Sequence, residues 1–230
     1  KKKIENEENV GMMEVLSFPL LFSFLSLFIF NFFLTLMMPF YPLYTQENWG
    51  WGAMESGGSI ACLAFFYSVS AFAVGDALDK HKVESAGIYK LIYAAGFIGM
   101  GVAFWLMGPF PVADVVASQV TILVSMALLG CFCGLVSIPS LPDAQFCAEK
   151  KKEGKAVKSL ISGYWGAVYA SAAFVGGPIG GVLYGQIGFV GLNFVSACSS
   201  AIMAVLSGLI GFYWFKFDPF SMNNGFLIID

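Results

Sequence analysis

The chain reads as an all-α membrane protein of six transmembrane helices with both ends in the cytosol. Three observations carry that reading. The 230 residues are 58% hydrophobic and 12% charged, about half the charged share of a typical soluble domain. Apolar stretches of about 20 residues, the length that crosses a hydrocarbon layer, recur six times along the sequence. Finally, every cationic side chain is a lysine, and the lysines alternate. Lys1, Lys2 and Lys3 precede the first stretch, and none lies between the first and second. Lys80, Lys82 and Lys90 fall between the second and third, with none before the fourth. Lys150, Lys151, Lys152, Lys155 and Lys158 follow the fourth, none separates the fifth from the sixth, and Lys216 follows the last. Loops that stay in the cytosol retain lysine during insertion, so the alternation sets topology as well as class.

The elements follow in order. The chain starts with a polar stretch, residues 1–9, followed by no short apolar region with a small-residue cleavage site, and residues 1–16 read as the end of a cytosolic linker, with the chain a fragment of a longer protein. The transmembrane domain covers 17–216. Its first span, 18–38, carries Asn31, whose amide needs a partner in hydrocarbon. Pro39 and Pro42 end that helix, and Trp49 and Trp51 suit the interfacial aromatic belt. The second span, 54–74, opens with Glu55, Ser56, Gly57, Gly58 and Ser59. The third, 88–107, holds Gly96, Gly99 and Gly101, which permit close helix approach. Gly108-Pro109-Phe110-Pro111 turns the chain outside. The fourth, 120–138, is broken at its inner end by Pro139 and Pro142. The fifth and sixth cover 160–184 and 192–215, and Tyr213 and Trp214 anchor the last beside Lys216. The tail, 217–230, has no clear period.

Two motifs have mechanical content. After the second span, Gly75, Asp79 and Lys80 read as a cytosolic gating loop: glycine ends the helix, and a carboxylate beside a cation can latch neighbouring helices. A plain hydrophilic turn is the alternative. In the fifth span Ala173, Gly177, Gly181 and Gly185 recur every four residues, a stripe that lets another backbone approach, and Pro178 favours a kink.

The spacing of Gly75, Asp79 and Lys80 resembles the Gly-x-x-x-Asp-(Arg/Lys) loop motif of the major facilitator superfamily, with His81-Lys82 where that pattern has its second glycine and cation. Gly177-Pro178-x-Gly-Gly181, followed by Leu183-Tyr184 and Gly188-Phe189, is similar to the eleventh helix and the start of the twelfth in the vesicular amine transporter branch. Ser162-Gly163-Tyr164-Trp165 and Pro139-Ser140-Leu141-Pro142 fit the same placement. The resemblance implies the C-terminal half, helices seven to twelve, and a missing N-terminal six-helix half. It also implies alternating-access antiport of a small organic, cationic solute against protons, in a secretory vesicle or the plasma membrane. Where vesicular monoamine transporters carry acids in helices ten and eleven, Ser137 and Ala167 stand here, so the polyamine-type member is the nearer match.

Few polar groups are left at mid-depth to bind solute. Asn31, Tyr67, Tyr164 and Tyr169 are the candidates, the tyrosine faces being suited to a cation. Glu55, Asp76 and Asp143 read as interfacial. Cys62, Cys131, Cys133, Cys147 and Cys198 match no zinc spacing, and His81 is the single histidine, so the expectation is no metal, no disulfide and no cofactor. With no histidine pair and no embedded acid pair, enzyme chemistry is not expected. The absence of arginine argues against nucleic acid as a partner. The competing functional class is a non-transporting six-span scaffold or accessory subunit that assembles through the glycine stripe.

Overall fold

The structure, a computed structural model, describes residues 11–81, 85–108 and 118–216. Residues 1–10 of the expected linker, Lys82, the Pro109–Pro111 turn and the 217–230 tail lie outside the described residues.

Every regular element is helical: α1 (Met12–Val15), α2 (Phe18–Met37), α3 (Tyr41–Trp49), α4 (Ala53–His81), α5 (Ala86–Met107), α6 (Gln119–Glu149) and α7 (Lys155–Lys216). Side-chain caps start three of the long ones. Ser17 accepts from the Leu20 amide, Ser85 from Gly87 and Ser118 from Thr121, each satisfying a donor that helix geometry leaves over. Pro19 sits in the first turn of α2, where a missing amide proton costs nothing. The first long helix ends at Met37, just before Pro39, but the chain re-enters helix at once as α3, and Pro42 sits in the first turn of that helix rather than ending α2.

The spans extend further than hydropathy indicates. α4 continues through Gly75 to His81, and α6 runs through Pro139 and Pro142 to Glu149. A proline removes a single backbone hydrogen bond. Ending the helix at membrane depth would strand several polar groups, which is the larger penalty. The last two apolar stretches form one 62-residue helical run. Straight, it would be about 93 Å long, three times the hydrocarbon thickness of about 30 Å. It folds back at Gly188, whose φ of 68° and ψ of −177° are a conformation open to glycine. The arms are 155–187 and 189–216.

Contacts fix the directions. Gly96 packs on Val136, and Gly130 on Leu63. On the first arm of α7, Gly176 meets Thr35 and Gly180 meets Leu36. The second arm returns along α5: Gly108 lies against Val190, Gly101 against Ala197 and Gly87 against Gly211. The long helices therefore alternate up and down, with the two arms of α7 counted separately, and the described lysines gather towards one end. A small apolar cluster of Val15, Leu20, Ala148, Val157, Ile161 and Trp214 closes that end, while a larger one fills the middle.

The outer surface is that of a protein in lipid. Phe72, Phe174, Leu209 and Phe212 are all more than 60% exposed, far beyond the apolar patches that monomers in water tolerate. Among the described residues, five helical runs are long and apolar enough to cross a membrane, the bent α7 being counted as one.

Candidate functional site

Of the polar constellations among the described spans, two bear on function, one closed and one half open. The closed one joins three helices. Lys90 and Tyr93 share a face of α5, while α6, continuing past Pro142, delivers Asp143 and Cys147 on one face. Ser23 comes from the start of α2. Asp143 Oδ2 pairs with Lys90 Nζ and accepts from Ser23 Oγ at 2.6 Å and Tyr93 OH at 2.7 Å. Lys90 also donates to Ser23 at 2.7 Å. Its ammonium lies 5.2–5.9 Å from the ring centres of Tyr93, Phe22 and Trp214, within cation–π range. The Cys147 thiol lies 3.6 Å from Oδ1. Both charged side chains have 0% exposure. A site with no accessible surface and its donors already spent does not receive a solute in this conformation; it ties helices together.

The half-open constellation crosses α6 at mid-depth. Tyr67 of α4 shares a hydrogen bond with Ser137 at 3.0 Å. One turn on, Ser140 donates to the Ser137 carbonyl and accepts from Trp165 Nε1 at 2.8 Å. The Trp165 ring stacks on Tyr169, centroids 5.6 Å apart. The Tyr169 carbonyl in turn accepts from Asn31 Nδ2 at 2.7 Å. Three of the four candidate binding residues, Asn31, Tyr67 and Tyr169, thus fall on one strip running α4–α6–α7–α2. Tyr164 lies outside that chain of contacts, exposed on the same arm of α7. Asn31 is buried and used as interhelical glue. Tyr67, Trp165 and Tyr169 keep open faces.

A comparison with protein-family models matches residues 23–224 to the Major Facilitator Superfamily. The chain belongs to that superfamily. Curated relatives agree: it is 26% identical over 173 residues to the MFS-type transporter SLC18B1 of Homo sapiens, covering 74% of this chain and 36% of the relative. The Mus musculus protein of that name is 24% identical over 173 residues, covering 74% and 36%. The Rattus norvegicus protein is 24% identical over 164 residues, covering 70% and 34%. The chain spans about a third of the length of the curated relatives it matches.

For this Major Facilitator chain, a multi-pass membrane protein, several expectations need correcting. Gly75, Asp79 and Lys80 lie in the last turns of α4, not in a loop, because the helix outlasts its apolar stretch. Lys80 pairs with Asp76 one turn back, at 2.7 Å, rather than latching another helix. On the first arm of α7 the small residues turned inward are Ala172, Gly176 and Gly180. A Cβ on Gly180 would lie 2.5 Å from the Leu36 carbonyl, whereas Gly177 and Gly185 have nothing within 4 Å and Gly181 only the edge of Phe40. Ala173 is half-buried, and Pro178 stays inside the helix, exposed. The packing face is offset one residue from the expected stripe. Lys90 is no loop lysine and Asp143 is not interfacial: each is buried because the other cancels its charge. A lysine three residues inside a span that starts at 88 was the available signal. Ser137, Ser140 and Trp165 are the members of the open strip that mid-depth polarity alone did not select.

Proposed function

We propose that the chain is the C-terminal six-helix half, helices seven to twelve, of a secondary active transporter. It moves a small organic, cationic solute, amine or polyamine-like, by alternating access coupled to protons, with both ends of the chain in the cytosol. The observation that carries the reading is the open strip of Tyr67, Ser137, Trp165 and Tyr169 on a Major Facilitator helix bundle. Aromatic faces and hydroxyls at mid-depth can hold an organic cation without a fixed charge, and superfamily halves enclose a midplane site between them. The relatives' name, MFS-type transporter, points the same way, as does a chain covering about a third of their length. Support for the topology comes from the lysines gathered at one end.

On this reading the face bearing Gly177, Gly181 and Gly185, which only the edge of Phe40 approaches among the described residues, turns towards the N-terminal half. That half supplies the counter-charge for the solute, since Asp143 is fully engaged. The membrane is that of a secretory vesicle or the cell surface. The test is uptake of labelled polyamine into proteoliposomes under an imposed pH gradient. The full-length protein takes it up and the 230-residue chain alone does not. Uptake that ignores the gradient overturns the proton coupling, and uptake by the isolated chain overturns the half-transporter reading.

A further inference from the structure

The connection between α6 and α7 carries more positive charge than the fold uses. Five lysines fall within nine residues, Lys150, Lys151, Lys152, Lys155 and Lys158, in a chain whose net charge is −3. Two of them have structural partners. Lys152 lies 2.7 Å from Glu14, which moors the connection to α1, and Lys158 lies 3.1 Å from Glu149 at the end of α6. Gly154, at φ 148°, makes the turn into α7. The other three, Lys150, Lys151 and Lys155, are exposed and form no ion pair among the described residues. The Lys150 ammonium lies 5.3 Å from the Phe146 ring, so its stem covers apolar surface while its head points to water.

The setting supplies the ligand class. The same end of the bundle exposes Phe18, Tyr213 and Phe215, an aromatic collar of the kind that marks the boundary between headgroups and hydrocarbon. Three exposed ammonium groups, those of Lys150 and Lys151 in the connection and of Lys155 at the start of α7, then stand beside that collar at headgroup depth. At the opposite end the described charges are the carboxylates Glu47 and Glu55, so the asymmetry belongs to one leaflet.

We propose that Lys150, Lys151 and Lys155 bind the net-negative headgroup of an anionic phospholipid in the leaflet at the lysine end. The site requires only that the chain spans a membrane and is independent of the transport reading. Soluble phosphate shares the chemistry, but the lipid is held beside the loop at high local concentration. Each lysine near an anionic surface is worth about fivefold in affinity, on the order of 100-fold for three. The attraction weakens as salt shortens the screening length to about 10 Å at 0.1 M.

The test uses the full-length protein in detergent, titrated with phosphatidylserine or phosphatidylcholine, with bound lipids counted by native mass spectrometry. The expected result is a preference for phosphatidylserine that falls on the order of 100-fold in K150Q/K151Q/K155Q. The K150R/K151R/K155R variant and Lys80→Gln retain it. Equal retention of phosphatidylserine by wild type and the glutamine variant overturns the site. Displacement of the lipid by equimolar inorganic phosphate overturns the choice of a lipid ligand. A melting temperature within a few degrees of wild type shows that the glutamine variant is folded. If it is not, the single variants Lys150→Gln and Lys151→Gln, each expected to lose about fivefold, decide the matter.

Discussion

Breaking the Lys90–Asp143 pair should cost far more than deleting it. Replacing Lys90 with methionine leaves the Asp143 carboxylate at 0% exposure with only Ser23 and Tyr93 as strong donors. Such an orphaned charge costs about 3–5 kcal/mol. Replacing Asp143 with leucine strands the ammonium among Phe22, Tyr93 and Trp214, at a similar cost. In the double variant no charge remains. Ser23 can then give its one hydroxyl proton to the Pro19 carbonyl, 2.9 Å away, and the Tyr93 hydroxyl is the group left unpaired, about 1–3 kcal/mol. A double-mutant cycle should therefore return a coupling of about 3 kcal/mol or more, with the double variant more stable than either single one. Denaturant unfolding of the detergent-solubilised protein, followed by tryptophan fluorescence, measures it. Additive losses, with the double variant as unstable as the two singles summed, would refute the reasoning and show that packing around the two side chains, not their charges, sets the cost.

Further outcomes follow from other contacts. Gly180→Leu drives a side chain into the Leu36 carbonyl and should destabilise by about 1–3 kcal/mol. Gly177→Leu meets nothing in this chain and should leave unfolding within about 0.5 kcal/mol while impairing transport in the full-length protein. Tyr67→Phe removes the bond to Ser137, worth about 0.5–1.5 kcal/mol, so KM for the solute should rise several-fold while the protein remains folded. The Glu14 carboxyl is held below its ordinary value of 4.5, first by the hydrogen bond from Lys152, with the Gly11 amide and the Lys152 charge adding to it. A depressed carboxyl contributes its stabilisation above the ordinary value and loses it as pH falls through the lower, folded one. A nitroxide at Gly11 should therefore gain mobility with a midpoint below 4.5, and Lys152→Gln should move that midpoint upward. An unchanged midpoint would remove Lys152 as the cause.

That the chain is a set of long apolar helices was legible because hydrocarbon demands long apolar runs. Their true ends were not, because Asp76, Lys80 and Pro142 read as water-seeking or helix-breaking one residue at a time. In the structure an i,i+4 ion pair and the continuity of the backbone override both signals. Lys90 was hidden for the same reason: only a partner 53 residues away makes it a core residue. The glycine register was ambiguous because 173, 177, 181 and 172, 176, 180 have identical spacing. A different repeat was readable. Gly87, Ala94, Gly101 and Gly108 recur every seven residues in α5 and its cap, and Val190, Ala197, Ala204 and Gly211 do so in α7. Contacts join several of them directly, the seam that a seven-residue period produces. The open strip was half legible: tyrosines stand out at mid-depth, but serines and a tryptophan acquire meaning only from their hydrogen bonds.

The single-residue bend at Gly188 means that the last two spans share almost no extramembrane connector. An antibody would find hardly an epitope there, and a protease hardly a cleavable strand. Reporter tags meant to survey that side belong on the polar helix α3 instead.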